Sequence, residues 1–166
     1  MPRILQLHAI GEIWHTVYIK RNKKINIPSI LGKIIVFPTI TQKKSIQAYL
    51  LKWLEQKAYY HFSNYLYILS KKTKLAYPNL SIRNQKTLWG SCNAKGYISL
   101  NSKLLFIPED LYHYVLLHEL CHTIYLNHSK CFWKFLNDFD NHYKAHDKAL
   151  RRTEKFIPEW ILNVKK

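Results

Sequence analysis

Between about Thr41 and Ser70, apolar residues recur at spacings of three and four: Ile46, Tyr49, Leu50, Trp53, Leu54, Ala58, Phe62, Tyr65, Leu66 and Leu69. That period predicts a long amphipathic helix whose apolar stripe faces a core. Before it the period is two. Ile13, Val17 and Ile19 alternate with partly polar neighbours, Arg21 to Lys24 interrupt, and Ile25 and Ile27 resume, which predicts a β-hairpin. A third strand is expected over Ile34 to Phe37, closed by Pro38. After the break at Tyr77-Pro78-Asn79, Leu80 to Arg83, Thr87 to Trp89 and Tyr97 to Asn101 read as a second small antiparallel unit, with turn chemistry at Asn93-Ala94-Lys95-Gly96. Pro108 followed by Glu109 and Asp110 marks a helix start, and this helix is expected to run to about Leu126. Two shorter helices are expected over about Ser129 to Asp138 and His142 to Arg151.

The fold class is therefore α+β. With 166 residues, 48% of them hydrophobic, the chain suits one domain over residues 1–166. No run approaches the roughly 18 to 20 apolar residues needed to span a bilayer, so no membrane partner is expected. The first 20 residues lack the basic start, apolar block and cleavage site of a secretory signal, and a cytoplasmic location is expected. Cys92, Cys121 and Cys131 form no C-x-x-C pair and read as reduced, small apolar side chains.

Charge widens the functional field. Lysine and arginine outnumber aspartate and glutamate 26 to 10, giving a formal charge of +16 that favours polyanionic partners such as nucleic acid. Twenty-one of those cations are lysine and five arginine. Base-reading surfaces favour arginine, so a compositional origin for the excess stays open. The aromatic and lysine content of the long helix admits a stacking surface for single strands, although a stripe at helical spacing more often belongs to a core.

The segment richest in chemistry is His118-Glu119-Leu120-Cys121-His122, an H-E-x-x-H string inside the third-quarter helix. Four residues advance about 400°, so both imidazoles share one face, about 6 Å apart along the axis, and can grip one metal ion. Glu119 sits about 100° from His118 and about 60° from His122 in azimuth and can lean toward a water without being a ligand. Leu117, Leu120, Cys121 and Ile124 fall on the other side, expected to face the core. With nine histidines, a shuffled chain of this composition contains such a string about 2% of the time, so its placement on a helix matters.

A catalytic zinc site commonly uses three protein ligands. His128, six residues past His122, follows Asn127, which tolerates the left-handed conformation of a helix C-cap. The spacing leaves both a third ligand and a solvent-facing loop histidine open. His142 and His146 are also four apart, but Tyr143 stands where a base would, and they read as a solvated helix face. His113 can reach a cleft rim.

From Ile82 onward the succession Trp89-Gly90-Ser91-Cys92, Ile98-Ser99-Leu100-Asn101, Pro108, Tyr114-Val115, His118-Glu119-Leu120-Cys121-His122, His128-Ser129 and Phe132-Trp133 resembles the YgjP-like metallopeptidase family, related to SprT-like and WLM zinc peptidases. The match is collinear from about Lys57 to Arg152, the metal-site core, and the hairpin region of about residues 1–40 looks like the family's N-terminal part. The resemblance implies a zincin-like fold, a small antiparallel sheet packed on an active-site helix, with His118, His122 and His128 as zinc ligands and Glu119 as catalytic base. Many members carry arginine where this chain has Leu88; Arg83 or Lys86 would have to replace it.

The leading expectation is zinc-dependent hydrolysis of a peptide or protein substrate, with Glu119 taking and returning a proton and Tyr97 to Asn101 aligning the peptide by backbone pairing. Two alternatives compete: a metal-dependent phosphoester or nucleotide hydrolase, and a nucleic-acid-binding module whose zinc is structural. The first is disfavoured by a carboxylate-poor ligand set. The second calls for a fourth, closing ligand, for which Cys92 is the candidate.

Overall fold

The computed structural model describes residues 2–19, 33–38 and 42–162. Its first sheet joins β1 (Ile4–Leu7), β2 (Glu12–Ile19) and β3 (Lys33–Pro38) in that order. β1 runs antiparallel and β3 parallel to β2. The chain turns from β1 into β2 through Gly11, whose φ of 61° suits glycine. The expected hairpin partner around Ile25 and Ile27 lies outside the described residues.

The inward face of β2 is the opposite of the one its alternation suggested. Ile13 is 54% exposed, while Thr16 is buried and donates its hydroxyl to the Pro2 carbonyl. Trp14 packs edge-on against Trp53 at 4.9 Å between ring centroids, and Tyr18 stacks on Phe37. Large rings on even positions outweigh aliphatic side chains on odd ones, and with period two the whole strand follows.

α1 (Lys43–Thr73) follows expectation except at Tyr49, which is exposed rather than part of the buried stripe. Ile46, Leu50, Leu54, Ala58, Phe62, Leu66 and Leu69 line its buried face. It stops at Lys74, which takes a left-handed φ of 59°. The hydroxyls of Thr73 and Ser70 donate to the carbonyls of Leu69 and Leu75 and tie the last turn to the chain that leaves it.

The second sheet contains β4 (Leu80–Arg83), β5 (Gly90–Cys92) and β6 (Ile98–Asn101), in the order β4-β6-β5. β6 is parallel to β4 and antiparallel to β5. Antiparallel pairing thus holds for one pair in each sheet, and both sheets are mixed. The extended stretch anticipated at Thr87 to Trp89 begins instead at Gly90. Before it, the buried Asn101 side-chain amide donates to the carbonyls of Gln85 and Leu88 and fixes the connecting loop, while Lys103 adds a bond to Gln85.

α2 (Glu109–Cys121) packs against α1, with Phe62 on Tyr112 at 4.9 Å. α3 (Lys130–Asn137), α4 (Tyr143–Leu150) and the one-turn α5 (Glu159–Leu162) complete the described chain. Among the described residues no helix is long and apolar enough to cross a membrane.

Candidate metal centre

Pro108 precedes α2, and Glu109 and Asp110 occupy its first turn, where the positive end of the helix favours acids. The helix stops at Cys121, about five residues earlier than the sequence suggested, and Ile124 is left exposed rather than in the core. The Tyr125 amide bonds the Cys121 carbonyl at 3.2 Å, and the Thr123 hydroxyl bonds the Leu120 carbonyl at 2.7 Å. No left-handed residue is needed here: lysine 74 is the only non-glycine with positive φ among the described residues. Asn127 acts through its side chain, whose Oδ1 accepts the Ser129 amide, and Ser129 Oγ then accepts the Phe132 amide to cap α3. His128 is held between these two local bonds.

The result is convergence. The Nε2 atoms of His118, His122 and His128 stand 2.9, 3.1 and 3.2 Å apart, and all their ring nitrogens nearest the centre form one potential metal-binding group. Tetrahedral nitrogens at about 2.0–2.1 Å from zinc are about 3.3 Å from each other. The residues present therefore fit a single metal ion of that size.

Electrostatics agrees with this geometry. Burial, and then the neighbouring His122 and His128, lower the His118 pKa to about 3, and burial lowers that of His122. Neutral imidazoles keep a lone pair for a metal. His122 Nδ1 lies 2.7 Å from the Tyr125 carbonyl; as the donor of that bond it leaves Nε2 bare. Glu119 is buried with its Oε2 unpaired, and burial pushes its carboxyl up to about 8. A cation held among the rings would supply the counter-charge that this carboxylate lacks.

Phe132, a residue whose role sequence reasoning missed, packs beneath the cluster. It is fully buried and stacks on His122 at 4.4 Å, with His118 at 4.9 Å and His128 at 5.0 Å. Trp133 stacks on His128 at 5.3 Å. Both lie just after His128 in sequence, and an aromatic pair opening a helix directly beyond a candidate ligand is the signal that could have found them.

The cluster opens into a cavity of about 530 Å³ lined by β5, by Leu88, Trp89, Val115, Leu126, Trp133 and Leu150, and by Tyr114, Asp147 and Arg151. Several expectations change here. Arg83 and Lys86 line a separate concavity, and Arg151 is the arginine in this one. β6 is the central strand, paired on both sides, so the strand edge facing the cleft is β5. His113 stacks on Tyr65 at 3.9 Å, away from the cleft lining. His146 is part-buried and bonds Asp140 Oδ2 at 2.7 Å rather than facing solvent with His142. Cys121 is buried in the core; Cys92 lines the cleft but stands outside the three-histidine group, and burial, then the Glu119 charge, push its thiol up to about 11.

A small mixed sheet beside a helix carrying two of three converging histidines defines a zincin-like metallopeptidase fold. Over residues 6–153 the sequence matches the YgjP-like metallopeptidase domain, and the chain belongs to that family. It is similar to the metallopeptidase zymogen of Pyrococcus abyssi abylysin, with 23% identity, a TM-score of 0.50, and coverage of 57% of this chain and 95% of that one. It also aligns with the metallopeptidase zymogen of Methanocaldococcus jannaschii jannalysin, with 21% identity, a TM-score of 0.49, and coverage of 55% and 94%. No curated protein sequence matches the chain.

Proposed function

We propose that this protein is a zinc-dependent peptidase in which His118, His122 and His128 hold the metal and Glu119 is the general base and acid. The observation that carries this reading is the 2.9–3.2 Å triangle of Nε2 atoms beside an unpaired, buried carboxylate. Bound zinc supplies Lewis acidity, polarising the scissile carbonyl and making a water acidic enough to attack at neutral pH.

The protein's own groups do the rest. Glu119, held by α2 and against Gly90, takes a proton from the attacking water and returns it to the leaving amine. β5 offers its outer edge to an extended peptide, whose backbone gains a strand partner there. The apolar wall of Leu88, Trp89, Leu126, Trp133 and Leu150 selects an aliphatic or aromatic side chain next to the scissile bond. The lack of a cysteine in the ligand group supports an open catalytic site over a closed structural one.

Glu119→Gln tests the reading. Hydrolysis of a peptide library should fall about 10²- to 10⁴-fold, while zinc content measured by mass spectrometry stays at the wild-type level. Undiminished cleavage by the zinc-loaded variant would remove Glu119 from the chemistry. Nucleotide and oligonucleotide substrates assayed in parallel separate acyl from phosphoester hydrolysis.

A further inference from the structure

The ring of His118 has two nitrogens, and the reading above, on which this inference rests, uses only Nε2. Its Nδ1 lies 3.4 Å from the Tyr114 hydroxyl, and that hydroxyl lies 3.5 Å from Asp147 Oδ1. Tyr114 precedes His118 by four residues on α2, so helix geometry stacks the two side chains one above the other. Asp147 arrives from α4, which packs against α2.

Proton accounting gives the chain one direction. An imidazole that donates its Nε2 lone pair to a metal carries its proton on Nδ1. That N–H donates to the Tyr114 oxygen, and the single phenolic proton of Tyr114 then goes to the Asp147 carboxylate. Tyr114 is buried, and a phenol carries its proton throughout the neutral range. His146 buttresses it at 5.7 Å between ring centroids and is itself bonded to Asp140. Arg151 holds the other Asp147 oxygen at 3.0 Å.

We infer that Tyr114 and Asp147 are positioning residues that fix the tautomer and orientation of His118 through a carboxylate–phenol–imidazole relay, and that α4 serves the metal site by delivering Asp147. Metal-binding histidines generally anchor their second nitrogen, and losing that anchor typically costs 10- to 100-fold in metal affinity. In this site His122 uses a backbone carbonyl for the purpose, whereas His118 uses side chains that can be substituted.

The experiment is Zn²⁺ affinity by competition with a chromophoric chelator, on wild type, Tyr114→Phe, Asp147→Ala and the double variant. Tyr114→Phe keeps the ring and removes the one oxygen; about 10- to 100-fold weaker zinc binding is expected, with the melting temperature of the metal-free chain little changed. Asp147→Ala, reaching the relay from the partly exposed side, should weaken binding, yet add less than twofold in the Tyr114→Phe background. The cobalt-substituted form reports ligand geometry independently of turnover, and its visible spectrum should shift in both single variants. Zinc binding by Tyr114→Phe within twofold of wild type, or fully additive losses in the double variant, would overturn the relay while leaving the ligand assignment intact. A wild-type chain that binds no zinc would overturn both.

Discussion

Two glutamates, one beside each sheet, show what the same carboxyl does in opposite surroundings. Glu12 opens β2, and its oxygens receive Lys33 from β3, Lys57 from α1 and the Trp14 indole. Burial pushes its pKa up, but those three donors outweigh burial and hold it at about 2. Glu119 lies against β5, meets burial without any such donor, and stands at about 8. The first acid ties a strand, a second strand and a helix together. The second is left unsatisfied in the wall of a cavity, the surroundings expected of the general base proposed above.

After Glu119→Gln itself, the largest effect should come from Gly90→Ala in the second setting. A Cβ there would meet the Glu119 Cγ and Oε1 at 2.7 Å, closer than such contacts tolerate. The carboxylate sits in a packed site and has to move. A displacement of about 1 Å in a catalytic group costs about 100-fold in rate, so kcat/KM for peptide cleavage is expected to fall by about that factor with zinc still bound. Activity within twofold of wild type would show that Glu119 need not rest on β5.

That close approach was invisible to pattern reasoning, and the contrast with what was visible is physical. The stripe on α1 depends only on local spacing, and apart from the exposed Tyr49 its members from Ile46 to Leu69 are where the period puts them. The histidine pair four residues apart is also local, fixed by the pitch of α2. His128 required a turn whose geometry comes from the side chains of Asn127 and Ser129, short-range but not periodic. The parallel pairings of β2 with β3 and β4 with β6 depend on crossovers, and nothing within a strand encodes them. On β2 the inward places belong to a threonine with a carbonyl partner and to two aromatic rings, which the alternation of aliphatic residues does not reveal. Tyr114 and Asp147 are 33 residues apart, so only the docking of α4 on α2 joins them.

Glu12→Gln should produce a smaller effect, of a different kind. The folded carboxyl titrates below its ordinary value of 4.5, so its contribution is fully present above about pH 4.5 and is lost as the pH falls toward about 2. The side chain is 11% exposed but Lys33 is 48% exposed, and solvent screening reduces the pair's worth. A loss of about 1–2 kcal/mol at pH 7 is expected in urea unfolding, shrinking steadily below pH 4.5. Peptide cleavage should be unchanged. A constant difference from pH 7 to pH 2 would show that packing, rather than charge, ties the strand in place.

The two lysines on Glu12 offer the finest cut. Lys57 is 20% exposed and also lies 4.8 Å above the Trp14 ring, whereas Lys33 is far more open to water. An exposed ion pair contributes about 0.2–1 kcal/mol, and a shielded cation over an indole adds about 0.5–1 kcal/mol. Lys33→Gln is therefore expected to cost about 0.5 kcal/mol or less, and that cost should vanish in about 1 M salt, where the screening length is about 3 Å. Lys57→Gln should cost more and keep most of its cost in salt. Equal losses with equal salt sensitivity would mean that Glu12 draws on both cations alike, and that the helix contributes no more to holding β2 than the neighbouring strand does.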